Sequence, residues 1–138
     1  MLTHRSGLRR RSSAAWRRAG RRRKIVAISS GAGSLTSAEG LHRAYYYSMS
    51  KSALNMAMRL LQNDVRARGV IVGIVSPGRV DTDMQSAYLA AAAAAGTPLS
   101  GPVRTAADSA RALATYIETL SPNKGGRFYD DSGREMPW

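Results

Sequence analysis

Two short runs of β-branched residues constrain this chain more than any other feature. Lys24-Ile25-Val26-Ala27-Ile28 leads into Ser29-Ser30, and Val70-Ile71-Val72-Gly73-Ile74-Val75 leads into Ser76-Pro77-Gly78. Neither run alternates apolar with polar residues, so each predicts a strand covered on both faces, as in a parallel sheet. Between them, residues 45–68 carry a helical period: Leu54, Met58, Leu61 and Val65 fall on one stripe. Ala53, Met56, Ala57 and Leu60 widen it, which predicts a largely buried helix. Gly69, after Arg66 and Arg68, supplies the stop.

Further on, Thr105 with Asp108 marks a helix start, and residues 106–120 predict a helix with Ala110, Leu113, Ala114 and Ile117 inward. Gly126-Arg127-Phe128-Tyr129 predicts a last short strand, and Asp131-Ser132-Gly133 a turn. Residues 31–44 predict a Gly- and Ser-rich flexible loop. Residues 79–101 are less patterned, with only the helix-prone run Ala90–Ala95. The order strand, helix, strand, helix, strand predicts an α/β layered fold with three parallel strands and two or three helices.

Tyr47 and Lys51 are the chemistry-bearing pair. Four residues is about one helical turn, so phenol and ammonium share a face. A cation beside a phenol favours the phenolate, giving a proton donor and acceptor suited to carbonyl/alcohol redox chemistry. Tyr45 and Tyr46 are neighbouring phenols, but four residues on from them stand Met49 and Ser50. In a parallel α/β sheet, ligands sit beyond the carboxyl ends of the strands. Ser29-Ser30 and residues 76–82 land there. Strand alternation points one of the two serines at the site, with Ser30 preferred over Ser29, and Ser34 in the loop is a further candidate. Gly31-Ala32-Gly33 lacks the third glycine of a dinucleotide turn. His42 reads as a solvated loop residue, and no metal site is expected.

Charge is unevenly distributed. Of the formal +12 on 138 residues, the first 24 carry ten cations and no acid, leaving eleven cations against nine acids downstream. Residues 1–23 thus form a basic, disordered arm ahead of a near-neutral domain, 24–138. The arm has four readings: a nucleic-acid-binding arm, a transit peptide, a secretory or twin-arginine signal without its apolar region, or GC-rich coding DNA read out of frame or from a misplaced start. The last is preferred. The chain has no cysteine, which excludes disulfides and thiolate metal sites. No apolar run approaches the ~20 residues of a membrane span, and a cytoplasmic protein is expected.

Together these pieces resemble the C-terminal portion of the short-chain dehydrogenase/reductase family. They are the strand Ile25–Ser30, the Tyr-x-x-x-Lys of Tyr47 to Lys51, the following Ser52-Ala53-Leu54-Asn55, and Pro77-Gly78-Arg79-Val80-Asp81-Thr82-Asp83-Met84. The tail from Gly126 to Trp138 is similar to that of the small carbonyl-reductase members. The resemblance implies the C-terminal half of a Rossmann-like, doubly wound parallel sheet and an NAD(P)-dependent oxidoreductase interconverting a carbonyl and an alcohol. It implies Tyr47 as acid/base, and Lys51 as the lysine that tunes it and holds the nicotinamide ribose. Ser30 would hold the substrate carbonyl. Pro77, Gly78, Val80 and Thr82 would lie around the nicotinamide; Thr82 has the alternative role of capping the next helix. NAD or NADP is implied, with a slight lean to NADP, and residues 85–104 would form the substrate loop. A homo-oligomer through helix 45–68 is also implied.

The family's glycine-rich turn, Thr-Gly-x-x-x-Gly-x-Gly, and the asparagine of its catalytic set have no counterpart before Lys24. The chain as written is therefore expected to be truncated, marginally stable or aggregation-prone, and to bind the cofactor weakly or not at all, with its activity left open. Two other functions stay open: a non-enzymatic basic protein that binds nucleic acid or anionic surfaces through its arm, and a fragment that docks on intact relatives.

Overall fold

The computed structural model describes residues 23–38, 44–97 and 102–138. Residues 1–22 of the expected arm over 1–23, residues 39–43 with His42, and residues 98–101 of the expected substrate loop lie outside the described residues; Arg23 begins the first strand.

Three parallel strands, β1 (Arg23–Ile28), β2 (Val70–Ser76) and β3 (Phe128–Asp130), form an open sheet in the order β1-β2-β3. Arg23 pairs with Val70 and Ile28 with Val75, while Ile74 pairs with Phe128 and Ser76 with Asp130. The register brings the carboxyl ends of all three strands to one rim. Three helices connect them: α1 (Tyr45–Val65), α2 (Asp83–Ala94) and α3 (Ala106–Thr119). This is the α/β, Rossmann-like arrangement that the sequence predicts.

β2 is the central strand, and its β-branched run is buried almost throughout. Gly73 faces α3: a Cβ there would lie 2.8 Å from Leu120 Cδ2 and 3.0 Å from the Tyr116 hydroxyl. Alternation puts Ile71 and Val75 on that same face, where they pack with Tyr116, Leu120 and Tyr129. Val72 and Ile74, both fully buried, point the other way.

Several expectations are corrected. β1 is half-exposed rather than buried, with Ile25 and Ile28 open to solvent, because it lies at the edge of the described sheet. Helix α1 buries polar residues, Asn55 and Gln62, while Met56 and Leu60 are exposed. The Gln62 side chain explains its share: Oε1 accepts from Val72 N–H at 2.7 Å and Nε2 donates to Val70 O at 3.3 Å, docking the helix on β2 by hydrogen bonds. Helix α3 presents Ser109, Tyr116 and Leu120 inward, with Leu113 half-buried, so its inward face is rotated from the expected one; Ala110, Ala114 and Ile117 face out. The segment 79–101 contains a full helix, α2, whose alanines carry no periodic signal.

The helix ends follow their chemistry. Gly69 adopts the left-handed conformation (φ 69°) after a 3-10 turn over Arg66–Arg68, and Thr105 accepts from Asp108 N–H at 3.1 Å. The expected tail turn is present, with Asp130 accepting from the backbone of Ser132 and Arg134. No helix among the described residues is long and apolar enough to cross a membrane.

Candidate functional site at the carboxyl rim of the sheet

The rim gathers the segments that the sequence singled out. At the end of β1, Ser29 continues the ladder by donating its N–H to Val75 O at 2.7 Å. Its side chain is buried and donates to Asn55 Oδ1 at 2.5 Å. Ser30, next along and half-exposed, caps a 3-10 turn over Gly31–Gly33, its Oγ accepting from Ala32 N–H at 3.2 Å. Ser34 is buried and its hydroxyl closes a local turn with Ser37. Of the three serines, Ser30 alone leaves its hydroxyl beside the rim and partly open.

The glycine turn is not a free loop. A Cβ on Gly33 would sit 2.9 Å from both Asn55 Nδ2 and the Lys51 backbone carbon, so the turn packs directly beneath α1. Gly33 O accepts from Ser52 Oγ at 3.1 Å and from Asn55 Nδ2 at 3.2 Å. Gly33 serves close approach to a helix rather than a phosphate cradle.

Helix α1 begins at Tyr45, a loop away from that turn. Tyr45 and Tyr46 are 75% and 90% exposed, whereas Tyr47 is 42% exposed. Lys51 Nζ lies 5.7 Å from the centre of the Tyr47 ring and donates to Ile28 O at 3.1 Å. One ammonium thus bridges the helix, the last residue of β1 and the phenol. A cation at this distance from an aromatic ring is held electrostatically.

The second rim segment follows β2. Ser76 is buried, and its hydroxyl accepts from Gly31 N–H at 3.0 Å and Gly78 N–H at 3.4 Å. It ties the loops after β1 and β2 together. Gly78 is left-handed (φ 71°), with nothing near its missing side chain, so the chain turns there without being pressed by protein. Pro77 precedes it, and Val80 bridges to Arg104 in the segment before α3. Thr82 caps α2: its hydroxyl accepts from Gln85 N–H at 3.2 Å and donates to Val80 O at 3.3 Å.

The rim therefore holds Ser30, Tyr47, Lys51 and the turn at Pro77–Val80 on three neighbouring segments. Two residues of this architecture are not singled out as candidate site residues in the sequence: Ser76, read only as part of the segment after the second strand, and Asn55, a polar residue inside a helical stripe. Their signal is polarity where the pattern calls for an apolar side chain.

The left-handed turn at Gly78 is open, and Tyr47 and Lys51 place a phenol and an ammonium at the same rim. The described residues contain no glycine-rich turn feeding a helix N-terminus that would take a pyrophosphate: the turn at Gly31–Gly33 is a single 3-10 turn whose Gly33 is packed against α1.

Comparison with known proteins bears on the fold and the family. Residues 11–93 match the short chain dehydrogenase family, so the match begins within the basic arm rather than at Lys24. The chain is 38% identical over 123 residues to the C-signal protein of Myxococcus xanthus, covering 88% of this chain and 64% of that one. It is 32% identical to the short chain dehydrogenase gsfK of Penicillium aethiopicum, covering 86% of this chain and 47% of that protein. Among solved structures, NADPH-bound carbonyl reductase from chicken fatty liver superposes with a TM-score of 0.69 at 30% identity, over 83% of this chain and 42% of that one. The carbonyl reductase Sniffer of D. melanogaster gives a TM-score of 0.69 at 26% identity, covering 91% and 47%. The chain thus spans 64% of the first of these relatives and under half of the others.

Proposed function

Because this chain belongs to the short-chain dehydrogenase family, we propose that its rim site serves an NAD(P)-dependent oxidoreductase that interconverts a carbonyl and an alcohol. The observation that carries the reading is the Lys51 ammonium held between the Tyr47 ring and Ile28 O. In this reading Tyr47 gives the substrate oxygen its proton on reduction and recovers it on oxidation. Lys51 supplies the positive charge beside the phenol and a donor for the nicotinamide ribose. The Ser30 hydroxyl holds the carbonyl oxygen and orients the carbon. Pro77, Gly78, Val80 and Thr82 line the nicotinamide, with Thr82 contributing through the loop that it caps.

A bound nicotinamide dinucleotide supplies the hydride. NADPH is preferred over NADH in the proposal, in keeping with the NADPH-bound neighbour. The substrate is a small-molecule carbonyl or alcohol, entering over α2 and the segment before α3. The exposed Met49, Met56 and Leu60 on α1 make that helix the proposed surface for self-association. A cytoplasmic location goes with the same reading.

The test is a comparison of the wild-type chain with Tyr47→Phe, titrated with NADPH and assayed for NADPH-dependent reduction of 4-nitrobenzaldehyde. Loss of reduction in the variant, with dinucleotide binding and stability retained, is the expected result. Reduction at the wild-type rate without the phenol would overturn the proton path.

A further inference from the structure

We infer that Asn55 is a positioning residue for this site, its buried amide setting Ser30 against Tyr47 and Lys51. The inference rests on the carbonyl-reducing reading above and names the residue on which its geometry depends. Tyr47, Lys51 and Asn55 stand on successive turns of one face of α1. Asn55 is 2% exposed, the most deeply buried residue of that helix.

Its two amide atoms do opposite work. The Gly33 carbonyl can only accept, so the atom facing it at 3.2 Å must be the donor, Nδ2. That leaves Oδ1 to take the Ser29 hydroxyl at 2.5 Å. The amide therefore grips the residue immediately before Ser30 and the last residue of the turn that Ser30 caps. Ser30 is held inside that bracket: its carbonyl accepts from Gly33 N–H at 2.9 Å and its Oγ from Ala32 N–H at 3.2 Å. Ser76 fixes the start of the turn by accepting from Gly31 N–H. With both flanks tied to one helical side chain, a shift of α1 relative to β1 carries Ser30 with it. The distance from Ser30 to the phenol is then set by the helix itself.

Few side chains meet this requirement. Aspartate has the same size but turns an acceptor toward the Gly33 carbonyl. Leucine has neither hydrogen-bonding atom. Glutamine is one methylene longer, in a space where even a Cβ on Gly33 would lie 2.9 Å from the Asn55 amide nitrogen.

The experiment compares Asn55→Asp with Gln62→Glu, the same amide-to-carboxylate exchange at a second buried, hydrogen-bonded residue of α1 that touches β2 rather than the turn. Ser29→Ala is the milder companion, for the case in which the aspartate variant does not fold. Each is measured for urea stability, for the backbone amide resonances of Ser30 to Gly33, and for kcat and KM in NADPH-dependent reduction of 4-nitrobenzaldehyde. The Ser30–Gly33 resonances are expected to move in the Asn55 and Ser29 variants and to stay in place in the Gln62 variant. A misplacement of about 1 Å lowers kcat on the order of 10²-fold, and the Asn55 variant is expected near that loss with the KM for NADPH little changed. The Gln62 variant is expected to keep its kcat. Equal kcat losses in the Asn55 and Gln62 variants, or unmoved Ser30 resonances in both Asn55→Asp and Ser29→Ala, would overturn the inference. A wild-type chain that reduces no carbonyl with NADPH or NADH would sink the functional reading alone, and the resonances would still decide the role of Asn55.

Discussion

Replacing Gly33 by alanine tests the packing on which the rim depends. The added Cβ would lie 2.9 Å from Asn55 Nδ2, 2.9 Å from the Lys51 backbone carbon and 2.9 Å from Lys51 Cβ. Carbon atoms in contact prefer roughly 3.5–4.0 Å. The turn and the helix must therefore separate, and two of the three obstacles cannot rotate away because they belong to the core of α1. Overpacking of this kind costs about 1–3 kcal/mol. The hydrogen bonds from Ser52 and Asn55 to Gly33 O stretch at the same time, each worth about 1 kcal/mol when intact. Against this, alanine restricts the unfolded chain and returns about 0.4–1 kcal/mol, since the 3-10 conformation at this position suits it.

The net expectation for Gly33→Ala is a loss of about 2 kcal/mol, a large part of the ~5–15 kcal/mol typical of a domain. Urea unfolding followed by far-ultraviolet circular dichroism measures it. Gly69→Ala is the reference: nothing lies within 4 Å of its would-be Cβ, but its φ of 69° is left-handed. It is expected to cost about 1 kcal/mol from backbone strain alone. An unchanged urea midpoint for Gly33→Ala would refute the packing argument. Full recovery in the double variant Gly33→Ala, Asn55→Ala would refute the part assigned to the helix backbone, leaving the amide as the only obstacle.

Two further outcomes follow from side chains that anchor this frame. Tyr116 is buried against β2 and its phenol is pushed up to about 12 by burial. Below pH ~10 both folded and unfolded phenols are neutral; above it the unfolded one ionises first, so stability falls as pH rises from about 10 to 12, by on the order of 2 kcal/mol. Urea midpoints of wild type and Tyr116→Phe across that window should converge, and parallel curves would show that this phenol is not responsible. Trp138 stacks on Phe128, carries the Arg59 guanidinium 4.7 Å over its ring, and closes a cleft of about 210 Å³ along α1. Trp138→Ala is expected to cost about 2 kcal/mol, below the full-burial range because the ring is half-exposed. A thermal midpoint within experimental error of wild type would contradict that.

Much of this fold was legible because its signals are local. The run Ile25 to Ile28 and the run Val70 to Val75 are β-branched without alternation, and each became a parallel strand. Gly69 and the Thr105–Asp108 pair ended and began helices as their backbone chemistry requires. Helix α2 was hidden because a run of alanines has helix propensity but no face. The rotation of α3 was hidden because Ala110, Ala114 and Ile117 make as good a stripe as Ser109, Leu113, Tyr116 and Leu120 when size is ignored. Size decided it: the Tyr116 ring fills the space above Gly73, which an alanine would leave empty.

By itself the sequence determined the order of strands and helices, the Tyr47–Lys51 spacing on one helical face, and the concentration of ten cations in the first 24 residues. Each of these depends on neighbours within a few residues or on simple counting. Tertiary structure alone decided which face of α1 meets the body of the protein. There Asn55 and Gln62 displaced Met56 and Leu60, because the surfaces opposite them present backbone carbonyls and N–H groups that buried apolar side chains would leave unpaired. The same contacts separated Ser29, spent on Asn55, from Ser30, left at the rim. That choice depends on what lies across the gap, which no period along the chain records.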